Sequence, residues 1–386
     1  MSVAPEDVPP RGALDGVRIA DFGRVLAAPY ATMLLADLGA EVVKVERPGV
    51  GDETRSWGPP WSDGEATYFL SVNRNKTSRL LDLRTPEGLA EAHALVAGCD
   101  VVVENFRPGT MEKLGLGYAA LSADRPDLVY CSVTGFGPHA GADLAGFDLV
   151  VQAVGGLMSL TGSPEHGPTK VGVALVDVVC GLHAALGILA ALRHRDRTGE
   201  GQRVEVNLLS SLLSALTNQS AAYLATGEPP RPMGNRHPSI APYEVLRTAD
   251  RPLAVAAAND RLFVRLAAAL GRPALASDPR FATNPDRVAH RDDLVDALEG
   301  VLRTRTADEW FSVLTDAGVP CGPINDLGQA FALAERLGLA PVVEQHRDHG
   351  GDGGAGTAVR TVAHPVTFSA TPATYRTAPP RAGSQA

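Results

Sequence analysis

The stretch VRIADFGRVLAAPYATMLLADLGAEVVKVE, residues 17–46, decides the fold. Residues 17–22 (VRIADF) and 41–46 (EVVKVE) are short apolar runs of strand length, and residues 29–38 between them have helical spacing. Pro29 stands near the helix start, where its missing N–H costs nothing, and Gly39 follows the end. Strand, helix and strand in this order form a β-α-β unit, which implies a parallel sheet. Outward from it, residues 87–97 read as a helix, 101–104, 128–133 and 203–207 as further strands, and 208–225 as one helix. Residues 227–242 (GEPPRPMGNRHPSIAP) have linker composition. Beyond them, 243–247 and 253–256 form a hairpin pattern, with helices expected near 260–270, 288–302 and 307–317. After a helix near 327–337, strand-like runs return at 341–344 and 359–368, expected to pack on the first domain; 376–386 reads as disordered. The expected organisation is a large α/β domain over 1–226, a linker over 227–242, a small α+β domain over 243–325, and a linker and return to the large domain over 326–386.

Bulk properties narrow the function. The chain has 386 residues with a net charge of −9, and its pI is near 5.6. That balance excludes a general nucleic-acid binder, which needs a clustered cationic face. Four cysteines lie without CxxC spacing, so they read as reduced thiols of a cytoplasmic protein with no metal site. The leading segment MSVAPEDVPPRGALDG lacks the basic and apolar regions of a signal peptide. Residues 171–192 (VGVALVDVVCGLHAALGILAAL) are long enough to span a membrane, but Asp177 and His183 interrupt them, and a helix buried in a large core is expected.

The opening unit invites a nicotinamide-cofactor reading, with Glu46 as a ribose-binding acid. The turn Gly23-Arg24-Val25-Leu26-Ala27-Ala28 lacks GxGxxG, so the backbone cannot approach a pyrophosphate in that manner. No P-loop, HExxH or GxSxG is present. Asp177 stands out as a carboxylate in an apolar run, which is costly unless it caps, pairs or reacts. One reading makes it the N-cap of the following helix. The other makes it a carboxylate kept ionised by the helix dipole and able to attack a thioester. Arg47, Arg55, Arg74, Lys76, Arg84, Arg107 and Lys113 offer a basic rim for phosphates or, individually, plain solvated charge.

Taken in order, LDGVRIADFGRVLAAPYATMLLADLGAEVVKVERPGVGDETR, NRNKTSRLLDLRTPEG, VVVENFRPGTMEKLGLGY, GFDLVVQAVGGLMSLTG, VGVALVDVVCGLHAALGILAAL and GVPCGPIND resemble the class III (CaiB/BaiF-type) CoA-transferases over residues 14–368. The resemblance implies an α/β fold: a Rossmann-like large domain whose parallel sheet is built from both chain ends, a smaller α+β domain, and two interlocked subunits. It implies transfer of CoA from an acyl-CoA to a small carboxylic acid, with acyl-CoA as substrate and no tightly bound cofactor. Asp177, in Gly172-Val173-Ala174-Leu175-Val176-Asp177, matches the family's nucleophile, which forms an aspartyl anhydride and then an aspartyl-CoA thioester. Val25, Leu26, Ala27, Arg47, Leu81, Arg84, Asn105, Phe106 and Lys113 match its CoA contacts. Thr134 stands where some members carry lysine, and the long glycine lid of formyl-CoA transferases is replaced at best by residues 233–242.

Two other activities are compatible with this resemblance. A 2-methylacyl-CoA racemase needs two bases about the α-carbon. This chain reads Ala145-Gly146-Phe147-Asp148 where racemases place His before Asp, and Asn259 aligns with their small-domain Glu. A CoA-binding protein without activity would not need the intact Asp177 motif. Arg236 and His237 are candidates to meet the second carboxylate of a dicarboxylic acid such as succinate or oxalate.

Overall fold

A computed structural model describes residues 12–347 and 356–384. The expectation that the N-terminus carries no signal peptide falls largely on residues 1–11, outside those described. Contacts divide the chain into two units. One comprises the chain up to Leu157 with Val171–Glu228 and everything from Ala340; the other comprises Met158–Lys170 and Pro229–Leu339.

The first unit is built on six parallel strands: β1 (Arg18–Asp21), β2 (Glu41–Glu46), β3 (Lys76–Leu80), β4 (Val101–Glu104), β5 (Val129–Thr134) and β6 (Arg203–Asn207), in the order β6-β5-β4-β1-β2-β3. The order reverses direction at β1, and loops beyond strand C-termini at such a switch point form a crevice. Both faces are covered, so most strands read as unbroken apolar runs. Ile19, Val101, Val103, Val129 and Cys131 point to one face, where α1 (Ala27–Asp37) packs. Ala20, Val102 and Tyr130 point to the other, against Ala92, Leu95 and Val96 of α2 (Pro86–Ala97). Helix α2 starts on Thr85, whose hydroxyl accepts the Gly88 N–H, with Pro86 in the first turn. Beyond β5 come α3 (Asp148–Val154), α4 (Leu175–Thr198), α5 (Leu208–Ala215) and α6 (Thr217–Thr226).

Three expectations need correction. The helix over 208–225 is two helices, parted where Thr217 takes a left-handed φ of 37°. Helix α4 is not buried all round: Cys180, Ala184 and Ile188 enter the core, while Leu182 and Leu186 are 45% and 64% exposed. By length and composition it is apolar enough to cross a membrane, yet 44% of that apolar window is buried inside the protein. Third, the tail is ordered through Ser384. Arg376 donates to the carbonyls of Ala36, Gly39 and Ala40 at 3.0, 3.0 and 2.8 Å, capping the C-terminus of α1. Asn75 donates to Thr374 O at 2.7 Å, and Ser78 N–H to Ser384 O at 3.1 Å. A composition rich in Pro, Gly and Ser says nothing of such long-range partners.

The second unit holds an antiparallel sheet of β7 (Tyr243–Leu246), β8 (Leu253–Ala256) and β9 (Cys321–Pro323), in which β8 is central. Helices α7 (Asp260–Ala269), α8 (Arg291–Leu302) and α9 (Ala307–Asp316) bury Phe263, Leu266, Leu294, Leu298, Trp310 and Leu314 with it. Helix α10 (Leu327–Arg336) opens on a capping box of Asp326 and Gln329. In the first unit, β10 (Val342–Arg347) and β11 (Thr357–Val362) pair antiparallel, and Arg74 reaches Val362 O at 2.7 Å.

Candidate active site

The crevice at the C-terminal ends of β1, β4 and β5 holds a cavity of about 260 Å³. Its walls are the turn Arg24–Ala27, Glu53, the loop Asn105–Pro108, the strand end Val133–Gly137, residues 141–147 without Asp143, and Leu208; Asp177 opens into it. A second cavity of about 520 Å³ is lined by β2 and its following loop, including Arg47 and Asp52, by Leu81–Arg84, and again by Arg24, Glu53 and Phe106. Arg24, Glu53 and Phe106 are therefore shared by both cavities. The Arg24 guanidinium lies 4.8 Å from the Phe106 ring centre and 3.3 Å from a Glu53 carboxylate oxygen.

The turn after β1 is held from behind. Val25 adopts φ 67°, a left-handed conformation that costs a β-branched residue roughly 1–3 kcal/mol. Its N–H donates to Asp52 at 3.3 Å, and Asp52 is fixed by the fully buried Lys44 ammonium at 2.8 Å. Lys44 also donates to Gly23 O at 2.8 Å. Asn105 clamps the same turn to the loop after β4, accepting from Arg24 N at 2.8 Å and donating to Arg24 O at 2.7 Å. On the far wall, a Cβ on Gly146 would stand 2.3 Å from the Gly135 Cα, so both positions must be glycine for these two segments to cross.

Asp177 is the third residue of α4, and this corrects its reading as an N-cap. The N-cap is Ala174, which has no side chain to do the work. The cap comes instead from Asp148, whose Oδ1 accepts the N–H of Val176 at 2.8 Å and of Asp177 at 3.3 Å. Leu175 N–H donates to Val173 O, so all three first-turn donors are engaged. The helix end then cannot hold Asp177 ionised in the way its position alone suggests. Burial, with the Asp148 carboxylate adding to it, pushes the Asp177 carboxyl up to about 7. The half-buried Tyr68 hydroxyl is pushed up to about 12 by burial and the carboxylates of Asp177, Asp148 and Asp52. A carboxyl poised near neutrality in a cavity, with no cation bonded to it among the described residues, can add to an electrophilic carbonyl.

The residues singled out in the sequence fall into three groups. Val25, Leu26, Ala27, Asn105 and Phe106 join Asp177 around the first cavity, with Thr134, whose hydroxyl accepts the Gly137 N–H at 3.1 Å. Arg47, Leu81 and Arg84, with Phe106, line the second; Arg84 is paired with Asp82 at 2.8 Å. Lys113 lines neither. The basic rim needs correction. Arg55, Arg74 and Lys76 are buried in ion pairs with Glu46 (2.6 Å), Asp37 (2.7 Å) and Asp21 (3.0 Å), because a sequence counts charges without their partners. Glu46 is likewise spent on Arg55, Ser78 and the Asp52 N–H. Sequence reasoning gave no role to Asp148 or Glu53; Asp148 appeared only within the Ala145–Asp148 block and the stretch GFDLVVQAVGGLMSLTG.

In the second unit Arg236 is engaged by Asp292 at 2.8 Å and Glu244 at 3.4 Å. His237 Nδ1 accepts the Ser239 N–H at 3.1 Å. Asn259 caps α7, accepting the Leu262 N–H at 2.9 Å. Among the described residues no cluster of three His, Cys, Asp or Glu side chains is arranged to hold a metal ion.

Comparison with known proteins adds the following. The sequence model of CoA-transferase family III matches residues 14–386. The chain is 42% identical to the succinate–glutarate CoA-transferase of Agrobacterium fabrum, across 99% of this chain and 95% of that one. It is 43% identical to the succinyl-CoA:glutarate CoA-transferase of Mus musculus, across 86% and 77%. A crystal structure of a CaiB/BaiF family protein from Brucella suis superposes with a TM-score of 0.85 at 40% identity, covering 97% of each chain.

Proposed function

The chain belongs to CoA-transferase family III and is a CoA-transferase, and from that premise we propose that it moves CoA from a succinyl-CoA-type donor to a short dicarboxylic acid with Asp177 as nucleophile. The observation that carries this reading is the Asp177 carboxylate opening into the cavity walled by Val25–Ala27 and Asn105–Phe106. Two relatives named for succinate and glutarate support the substrate class.

In the proposed sequence the Asp177 carboxylate adds to the donor thioester carbonyl and expels CoA thiolate, leaving an acyl-aspartyl anhydride. The thiolate then attacks the aspartyl carbonyl, releasing the donor acid and leaving CoA on Asp177 as a thioester. The acceptor carboxylate attacks this thioester, giving a new anhydride and free thiolate. The thiolate takes the acceptor's carbonyl and returns the Asp177 carboxylate. Each half splits a difficult exchange into two additions at activated carbonyls. The thiol end of CoA lies beside Asp177 and its nucleotide end in the second cavity, where Arg47 and Arg84 offer donors to phosphate. Racemisation is disfavoured because Phe147, on the cavity wall, has no group that can take or give a proton.

A second copy of the chain completes the assembly in this reading. It covers Leu182 and Leu186 of α4 and the exposed Leu149, Val150 and Val154 of α3, an apolar surface of the kind that marks an interface. Four free cysteines fit a reducing cytoplasm.

The test is a panel of succinyl-, acetyl- and formyl-CoA donors against mono- and dicarboxylic acids, with Asp177→Ala as control. Transfer from succinyl-CoA to a dicarboxylate, abolished in the variant with CoA affinity retained, is the expected result. Exchange catalysed by the variant would refute the nucleophile.

A further inference from the structure

Resting on the reading of Asp177 as nucleophile, we propose that Asp148 and Gln152 form a positioning pair that holds the Asp177 turn in place and opposes charge on its carboxylate. The segment from Val171 to Asp177 contains no side chain that caps α4. It hangs instead from one face of α3. Asp148 and Gln152 are four residues apart on that helix and so point the same way. Asp148 Oδ1 takes the N–H groups of Val176 and Asp177, and its Oδ2 accepts from Gln152 Nε2 at 2.6 Å. Gln152 is buried; its Oε1 accepts the Val171 N–H at 2.9 Å, and its Nε2 also reaches Val173 O at 3.3 Å. Both ends of the segment are thus bonded to two coupled side chains, neither of which lines the cavity.

The N–H groups of Val176 and Asp177 need only an accepting oxygen, which a neutral Asn or Ser side chain also offers. Aspartate adds a like charge beside the nucleophile. Tyr68, Cys180 on the same helix, and the cavity-wall groups Arg24, Glu53 and Arg107 complete the titratable and charged surroundings. Among all these, Asp148 is the group whose charge acts with burial to raise the Asp177 carboxyl. The pair therefore places the nucleophile accurately and keeps it poorly stabilised, and attack on the thioester relieves the repulsion by removing its charge.

The experiment follows formation of the CoA adduct on Asp177 by quenched-flow mass spectrometry, with succinyl-CoA and no acceptor, from about pH 5 to about pH 9. Wild-type rates should fall as pH drops through about 7. Asp148→Asn keeps one accepting oxygen for the Val176 and Asp177 N–H groups, gives up the one that accepts from Gln152, and removes the charge, so this limb should move down by about one pH unit. Asp148→Ser, an uncharged capping residue, serves if the Asn variant does not fold. Gln152→Met should leave the limb in place and lower the plateau rate about tenfold, with CoA affinity unchanged. An unmoved limb in the Asp148 variants, or a wild-type plateau in Gln152→Met, overturns the proposal. If wild type forms no adduct on Asp177, the nucleophile reading itself fails. That outcome differs from failure of the pair alone, in which wild type forms the adduct and both variants match it.

Discussion

Two of the places where the first unit withdraws carboxylates from water treat them in opposite ways. Beside β1, β2 and β3 every buried acid meets a cation. Asp21 lies 3.0 Å from Lys76, Asp37 2.7 Å from Arg74, and Glu46 2.6 Å from Arg55. Burial alone would raise Asp21 and Glu46, yet their cations and hydrogen bonds hold both below the usual carboxylate range. At the cavity, Asp177 meets another carboxylate, and burial with that neighbour takes it up to about 7. The first set fixes the frame to which the C-terminal segment attaches, through Arg74, Asn75 and Arg55. The second keeps one group poorly stabilised; burial also raises the Glu104 carboxyl to about 7, and what sets Asp177 apart is that it lines the cavity.

Substitutions at the two places should therefore act on different quantities. The largest effect is on activity: Asp177→Ala should cut transfer by at least about a thousandfold in steady-state assays, with CoA affinity within a few-fold of wild type. At the frame, Asp37→Asn leaves the Arg74 guanidinium buried without its counter-ion. It should cost about 3–5 kcal/mol in denaturant unfolding, far more than an exposed pair would. Asp177→Asn should move stability the other way. A carboxyl whose folded value lies near 7, above its unfolded range, contributes stability below the unfolded value and loses it as pH rises through the folded one. The variant should therefore melt above wild type at about pH 8, with the gap closing towards about pH 5. A lower melting point at both pH values would remove the contrast between the two regions. Arg376→Ala, which frees the Ala36 carbonyl of α1 and the Gly39 and Ala40 carbonyls just beyond it, should cost about 1–2 kcal/mol. Smallest of all, no deuterium should enter C2 of a 2-methylacyl-CoA in D2O, a null that separates transfer from racemisation.

The parts of the fold legible in the sequence are those whose physics is local. β1, α1 and β2 were readable within a residue or two because strands buried on both faces are apolar runs and the helix between them has its own period. β3, with the sequence KTSRL, was not foreseen as a strand. Lys76 and Ser78 point into the protein, where Asp21 and Glu46 satisfy them, and a pattern reading takes such residues for surface. The site divides along the same line. Asp177 was visible as a charge in an apolar run. Its cap was not, because Asp148 lies 29 residues away and arrives on a different helix. The same limit applied to the basic residues: Arg47 and Arg84 reach the second cavity, while Arg55, Arg74 and Lys76 are neutralised inside.

One measurement bears most directly on the central claim. Protein mixed with succinyl-CoA in the absence of acceptor, then digested and analysed by mass spectrometry, should carry CoA in thioester linkage on the peptide containing Asp177. Hydroxylamine should convert it to the hydroxamate at that residue. Transfer that proceeds with this peptide unmodified, or with CoA attached to any other side chain, would contradict the account.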